Sequence, residues 1–368
     1  MMKKVAILTN YLREYKKNDF YFQSEKLLRD VLSEHGIEMV YVTHYCFDQT
    51  KNHFSEYVTV GEDEMITIKK IYTPDLLRLK TPWSLQYQVD LFSTANFIVT
   101  PTFRLKKIES DKFQMYRYLH RFQPYTTLLT SYYFYDWIRE TFEGELVVVK
   151  PITGSGGYGV NFYCKDEIYS PEVCHKYEWM EALNIVQQFK NFGHWIPGIV
   201  QWNHDLRIVF LGDMPSFSVI RSPKEGSLKS NVASGWKQFS IKLSDIPPKV
   251  MKMCQDIQSV LNTAPNDSYS FDFGYCYDEK KRYLIEINSA PGIRFPAHDL
   301  PYQYKFFHDL GTYFSTLLIS YGHEDHEILD IKHYIHLLPE EDRWLYERRS
   351  QTQSKSKKQI GGKGKTKK

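Results

Sequence analysis

Tyr283–Gly292 reads YLIEINSAPG, and shortly before it stands Phe271-Asp272-Phe273. Both are short apolar runs that predict adjacent strands, with Asp272, Glu286 and Asn288 at their ends. Residues two apart on a strand share a face, so Glu286 and Asn288 point the same way. A neighbouring strand carrying Asp272 would complete a set of hard oxygen donors. Such a set suits Mg²⁺ or Mn²⁺ and leaves coordination positions for phosphate oxygens. Two acids at the ends of apolar strands repel each other without a cation between them. The alternative is a strand end with solvated acids.

A second stretch points to the same chemistry. Residues 146–149 predict a buried strand, which runs into Lys150-Pro-Ile-Thr-Gly-Ser-Gly-Gly-Tyr-Gly159 and then Val160–Tyr163. Strand, glycine-rich loop and strand make a hairpin, unlike the strand-to-helix phosphate loop of nucleoside triphosphatases. Glycines at 154, 156, 157 and 159 let backbone N–H groups close around an anion, and Lys150 adds a positive charge beside it. Gly364-Lys365-Thr366 resembles the end of a Walker A loop, but the first glycine would fall at Gln359 and no strand precedes it. That match is rejected.

Around these stretches the chain reads as mixed α/β. Residues 4–9 predict a strand. Residues 21–35 predict a helix, with apolar positions at helical spacing and Gly36 as its stop. Ile37–Val42 is the next strand, and this β-α-β start predicts a partly parallel sheet. Met65–Ile71, Phe97–Val99, Ile185–Phe189, Leu206–Leu211 and Phe217–Arg221 are further strands. Helices are expected from Lys112 to about 119 and over about 131–142, 248–262, 303–321 and 326–337.

Length and composition fit two or three globular domains. No stretch approaches the roughly 20 apolar residues of a membrane span. MMKKVAIL is too short in apolar residues to be a signal-peptide core. Five dispersed cysteines (Cys46, Cys164, Cys174, Cys254, Cys276) show no metal spacing and suggest reduced thiols in a cytoplasmic compartment. Residues 351–368 hold seven lysines and no acid, so the net charge of +3 becomes −4 over the rest. That tail is expected to be disordered. It reads as a solubilising tail, with contact to nucleic acid as the lesser alternative.

The order Asp111-Lys112, VVVKPITGSGGYGV, IVQQF, DLRIV, FSVIR, KSNVASG, FDFG and LIEINSAPG resembles the ATP-grasp superfamily. Within it the pattern is most similar to glutathione synthetases and ribosomal-protein glutamate ligases. The resemblance covers about residues 105–300. It implies an N-terminal α/β (pre-ATP-grasp) domain over 1–103 and an ATP-grasp domain over 104–338. The latter would comprise a lid-like subdomain at about 125–186 and a metal-bearing subdomain at about 187–325, with the tail over 350–368.

At matching positions the resemblance implies that Lys112 and Lys150 contact ATP phosphates. Gly154, Ser155, Gly156, Gly157 and Gly159 form the loop over the triphosphate. Gln187, Gln188 and Phe189 form the adenine hinge. Arg207, Arg221 and Asn231 serve catalysis, and Asp272, Glu286 and Asn288 hold Mg²⁺ or Mn²⁺. Alternatives remain for three of these. Arg207 can pair with Asp205 in a surface strand, Lys112 can be an ordinary first-turn lysine, and Asn231 can cap a loop.

The chain departs from the family pattern in places. Gln188 stands where an acid is usual, Trp236 replaces a glycine, and residues 190–204 form a longer, aromatic-containing segment. Arg294 is a further candidate to meet a substrate carboxylate. The implied activity is an ATP-dependent carboxylate–amine ligase acting through an acyl phosphate, on a small-molecule or peptide acceptor, with no membrane partner. A homo-oligomer remains open. A kinase of the same fold, or a non-catalytic ATP-binding assembly protein, is the alternative.

Overall fold

The computed structural model describes residues 2–9, 20–80, 91–92, 95–129, 135–154, 159–168, 173, 183–192, 205–222, 237–289 and 300–320. Ser155, Gly156, Gly157, Asn231, Trp236, Arg294, Cys174, the expected helix at 326–337 and the Lys-rich tail lie outside these residues. Residues 1–318 form one compact unit containing three principal sheets.

The chain opens with β1 (Lys3–Leu8), whose residues 5–8 are all buried, the pattern of a strand covered on both faces. Helix α1 (Phe20–Glu34) buries Phe22, Leu28, Val31 and Leu32. It stops at Gly36, whose φ of +70° favours a residue without Cβ. β2 (Ile37–Val42) then returns parallel to β1. The expected β-α-β start is present. Two short strands follow, β3 (Phe47–Asp48) and β4 (His53–Phe54), which pair with each other, and Phe54 is also bridged to Tyr72. Next come β5 (Tyr57–Val60), β6 (Met65–Ile68), β7 (Leu76–Leu79) and β8 (Ile98–Thr100).

The first sheet has the order β6-β5-β2-β1-β7-β8. Its β2-β1-β7-β8 part is parallel, and β5 and β6 form an antiparallel edge. Sequence pattern missed β5 and β7. In β7 an arginine interrupts a run of leucines, yet all four residues are buried.

Two capped helices lead out of this sheet. α2 (Phe103–Ser110) has Thr102 as N-cap, and α3 (Lys112–Leu119) has Asp111, whose carboxylate accepts from the N–H groups of Phe113 and Gln114. The junction is tied to the third sheet by Asp267, which accepts from Thr102 N at 2.8 Å and from Ala264 N at 2.8 Å.

The second sheet is antiparallel. β9 (Thr126–Leu129), α4 (Tyr135–Thr141), β10 (Leu146–Pro151), β11 (Asn161–Cys164) and β12 (Asn184–Gln188) arrange as β11-β10-β12-β9. β10 and β11 form the hairpin around the glycine loop. Gln187 and Gln188 therefore belong to the sheet that carries Lys150.

The third sheet contains β13 (Asp205–Leu211), β14 (Met214–Ser222) and β15 (Lys237–Ile241), then β16 (Ser268–Cys276) and β17 (Lys281–Asn288). Its order is β15-β14-β13-β16-β17. α5 (Pro248–Leu261) crosses between β15 and β16, with proline in its first turn and Asn262 in the left-handed conformation at its end. One face of the sheet, including Leu206, Ile208, Phe271 and Phe273, packs with Met115 of α3 and with Val250 and Ile257 of α5. Fully burying such a side chain contributes about 1.5–3 kcal/mol. Strand alternation turns Asp205, Arg207 and Asp272 to the opposite face.

α6 (Leu300–Ser320) closes the unit. Gln303 donates to Ser24 of α1 at 2.5 Å, His308 meets His35 at 3.0 Å, and Asp309 accepts from Ser216 of β14 at 2.6 Å. No helix among the described residues is long and apolar enough to cross a membrane.

Candidate active site

The glycine loop is fixed at both ends. Lys150, at the end of β10, is buried and donates to Gln187 Oε1 at 2.9 Å. Gln187 in turn donates to Thr126 Oγ1 at 2.8 Å. Thr126 and Gln187 pair directly across β9 and β12, and Lys150 is their diagonal neighbour on β10. Burial lowers the Lys150 ammonium to about 8, helped by the charge on Lys112 and opposed by Glu286. Thr126 was not singled out from sequence. It follows a proline break, and nothing local marks it as the support for Gln187.

Lys112 is the first residue of α3, so the alternative of a first-turn lysine is correct as local structure. Its placement also has a tertiary side. Its N–H donates to Ile152 O at 2.9 Å and its Nζ to Gly154 O at 2.7 Å. α3 is thus bonded to the glycine loop through both groups of one residue. Burial pushes the Lys112 ammonium down, against the opposing pull of Glu286 and Glu109. Gly154 and Gly159 have φ of +112° and +70°, and a Cβ on Gly159 would lie 2.7 Å from Pro151 Cγ.

At the hinge, Gln188 N donates to Tyr125 O at 2.8 Å and Phe189 N to Leu146 O at 3.3 Å. The Gln188 side chain donates to Glu143 O at 3.1 Å. These donors are engaged by the protein itself in this state.

On the third sheet, β13 and β16 pair with Arg207 opposite Asp272, and β16 and β17 with Asp272 opposite Glu286. The predicted adjacency of the two acid-bearing strands is present, with a bulge just after Asp272. Arg207 does not pair with Asp205 in a surface strand: β13 is buried throughout, and its guanidinium turns to Asp272, 2.7 Å to Oδ1 and 2.6 Å to Oδ2. Asp205 instead takes the fork of Arg221 at 2.6 and 2.7 Å, and Arg221 reaches on to Asp272 Oδ2 at 2.5 Å. Two arginines therefore join three acids in one chain, with Arg207 3.9 Å from Glu286.

Electrostatics distinguish the acids. Burial pushes Asp272 up, but the two guanidiniums outweigh it and hold the carboxyl well below the usual range. Burial, the largest influence on Asp205, pushes it up against the pull of Arg221. Burial and the Asp272 charge also push Glu286 up. With 36% of its side chain exposed, the neighbouring charge is the firmer cause for Glu286.

The donor set is two carboxylates and an amide, with no trio of His, Cys, Asp or Glu at metal-holding distance among the described residues. Asn288 Nδ2 lies 3.3 Å from Asp272 Oδ2 and 3.2 Å from Glu286 Oε1. Turning the amide over presents its oxygen instead. Among the described residues this ionic chain comprises the carboxyls of Asp205, Asp272 and Glu286 and the guanidiniums of Arg207 and Arg221. The residues fit a hard cation centred on Glu286 and Asn288, with Asp272 held beside them. Lys112 and Lys150 both feel the Glu286 charge.

Residues 115–266 match the model of the prokaryotic glutathione synthetase ATP-grasp domain. Solved structures with a similar fold include a RimK domain protein ATP-grasp from Sphaerobacter thermophilus DSM 20745, with 16% identity over 83% of this chain and 98% of that one and a TM-score of 0.55. D-alanyl-alanine synthetase A from Vibrio cholerae O1 biovar eltor str. N16961 shows 12% identity, 87% and 98% coverage and a TM-score of 0.55. The ATP-grasp ligase PsnB complexed with minimal precursor shows 12%, 87% and 98%, and 0.54. No curated protein matches the chain. The chain has the ATP-grasp fold, and its residues 115–266 match an ATP-grasp domain.

Proposed function

We propose that the protein is an ATP-dependent ligase that joins a carboxylate to an amine. The observation that carries this reading is the tie of Lys112 Nζ to Gly154 O at 2.7 Å, beside buried Lys150 at the strand end before the glycine loop. Two ammonium groups at such a loop suit a triphosphate, and the paired acids Asp272 and Glu286 suit its metal. A substrate carboxylate oxygen attacks the γ-phosphorus of ATP, giving an acyl phosphate and ADP. The amine then attacks the acyl carbon, phosphate leaves, and the nitrogen loses its proton. Activation replaces a poor leaving group, hydroxide, with phosphate.

The chain's own residues bind, orient and neutralise. Lys112 and Lys150 balance charge on the phosphoryl oxygens as it redistributes. Gln187 and Thr126 hold the Lys150 ammonium in place. Backbone N–H groups of the glycine loop suit the triphosphate, and β12 at Gln187 and Gln188 leads into the adenine hinge at Phe189. Glu286, Asn288 and Asp272 would hold Mg²⁺, which when bound supplies charge neutralisation at the phosphates. Arg207 and Arg221 keep Asp272 ionised and oriented. A guanidinium has five N–H donors, so this grip is compatible with a further contact to substrate oxygens. Neighbours named for peptide and small-molecule substrates favour an acceptor of one of these kinds.

The test is trapping with hydroxylamine. The protein, Mg·ATP and a panel of amino acids and short peptides as carboxylates should yield a hydroxamate together with ADP and phosphate. ADP formed with a stable phosphoester and no hydroxamate would identify a kinase. No nucleotide turnover with any acid would point to a non-catalytic ATP-binding protein.

A further inference from the structure

Arg78 is a buried cation outside the site described above. Arg78 on β7 is 7% exposed, and its Nε is buried with no hydrogen-bond partner among the described residues. Across the parallel ladder it stands opposite Thr100 on β8. Thr100 is fully buried, and its Oγ1 also has no hydrogen-bond partner among the described residues. Paired residues in a ladder share a face and lie about 4.8 Å apart. The register extends this row through Ile7 to Tyr41, so Tyr41, Ile7, Arg78 and Thr100 lie side by side on one face.

Burial opposes the Arg78 charge more than its described neighbours support it. Glu25 of α1, Tyr41 of β2 and Tyr313 of α6 are its titratable neighbours. Glu25, the acid among them, accepts from the Tyr41 hydroxyl and lies 4.0 Å from Lys80 Nζ. A guanidinium taken out of water without a carboxylate costs several kcal/mol. A buried hydroxyl without a partner adds to that cost. Two such groups side by side, a planar N–H fork and a hydroxyl, match the donors that an oxyanion takes.

Position supports this reading. Arg78 and Thr100 stand at the carboxyl ends of parallel strands, where α/β sheets place their ligands. Thr100 leads through Pro101 and Thr102 directly into α2. At the far end of α2, Glu109 accepts a hydrogen bond from Ser289, the residue after Asn288. Eight helical residues span about 12 Å. The row on the first sheet is therefore one short helix away from the acid-bearing strand β17.

We propose that Arg78 and Thr100 form a second oxyanion site, which takes a carboxylate or phosphate group. Resting on the ligase reading, that group belongs to one of the two substrates, which then carries an anionic handle apart from its reacting atoms. The site anchors this handle while the reacting end reaches the glycine loop.

The experiment is thermal unfolding of the full chain titrated with inorganic phosphate, and separately with succinate, against sodium chloride at matched ionic strength. Mg·ADP is kept saturating so that the nucleotide site is filled. Wild type should show a saturable rise in midpoint with at least one of the two anions. Arg78→Met should lose this rise, Thr100→Val should weaken it at least tenfold in apparent affinity, and both should keep the rise produced by Mg·ADP alone. Response to phosphate alone identifies a phosphoryl handle, and response to succinate alone a carboxylate. An unchanged anion response in Arg78→Met overturns the proposal, as does a wild type that responds to neither anion beyond salt. If Arg78→Met does not fold, Arg78→Lys keeps the charge without the fork. At least tenfold weaker anion affinity in that variant supports the site, and wild-type affinity overturns it. None of these readouts needs turnover, so failure of the ligase reading would appear separately, as absence of hydroxamate.

Discussion

Arg207 grips Asp272 through both carboxylate oxygens, Nε at 2.7 Å and Nη2 at 2.6 Å, across a strand ladder that joins residues far apart in sequence. Arg221 adds a third guanidinium contact to the same carboxylate. Asp272 is therefore both the hub of a buried ionic chain and the expected neighbour of the metal. Asp272→Asn leaves two buried guanidiniums short of their counter-charge. Breaking a buried ion pair costs about 3–5 kcal/mol. Urea denaturation should show a loss of that order, and a change below about 1 kcal/mol would mean that water or another group already compensates the arginines.

Glu286 should behave in the opposite way. Its carboxyl is pushed up by burial and the Asp272 charge, so at neutral pH its ionisation opposes folding unless a cation is bound. Glu286→Gln should leave the metal-free protein as stable as wild type or more so. It should also abolish the stabilisation by Mg·ATP, which for a native-state ligand at 100 times its dissociation constant is about 2.7 kcal/mol. A variant that retains the magnesium-dependent part of the shift would remove Glu286 from the metal site.

Lys150 makes stability and nucleotide binding depend on alkaline pH. Its folded-state value falls from the ordinary 10.5 to about 8, so between these values the unfolded chain binds the extra proton. Stability from this group should therefore rise as pH increases from about 8 toward 10.5 and be flat below that window. Phosphates beside the amine favour its charged form, so ATP binding should take up a proton near pH 9. Calorimetry in buffers of different ionisation enthalpy reads this uptake directly, and Lys150→Met should eliminate it.

Gly159→Ala addresses the loop alone. The φ of +70° costs about 1–2 kcal/mol for an L side chain, and the new Cβ would press on Pro151 at 2.7 Å from its Cγ. The effect should fall on ATP affinity, because the loop must adopt a phosphate-binding path. Gly154→Ala meets no atom of the described residues within 4 Å, so it should show the conformational cost without that clash. Equal ATP affinity in both variants and wild type would mean that the loop does not cradle the phosphates.

The contact between α1 and α6 depends on a missing side chain. A Cβ on Gly311 would stand 2.5 Å from His35 Cδ2. Gly311→Ala should destabilise by about 1–3 kcal/mol through overpacking. His35→Ala in the same chain should recover part of that loss, although it also removes the His35–His308 hydrogen bond. A double-mutant cycle with no coupling would show that the helices separate freely at this point.

Much of this architecture was legible from local pattern. The glycine hairpin follows from an apolar run that ends in Lys-Pro and resumes after four glycines, because a chain that turns so tightly brings its flanking strands together. Glu286 and Asn288 could be placed on one side near a strand end, since alternation along a strand is a property of the backbone, whereas Asp272, expected at a strand end, stands in the middle of β16. Gly36 and Asp111 marked a helix end and a helix start by their own conformational and hydrogen-bonding preferences.

Tertiary structure decided what no local pattern encodes. Arg207 has an aspartate two residues away, yet it pairs with one on another strand, because the sheet order sets β16 beside β13 and Arg221 already holds Asp205. Lys112 looks like any first-turn lysine until β10 brings Gly154 to its ammonium. Arg78 reads as a polar break in a run of leucines. Strand order sets it beside buried Thr100, and Glu25 of α1 and Tyr313 of α6 stand near it. Sequence determined the elements and the chemical groups they carry, since backbone geometry repeats over a few residues. The partners of those groups were decided by strand order and helix docking, because electrostatic pairing acts through space between segments that the chain itself does not place side by side.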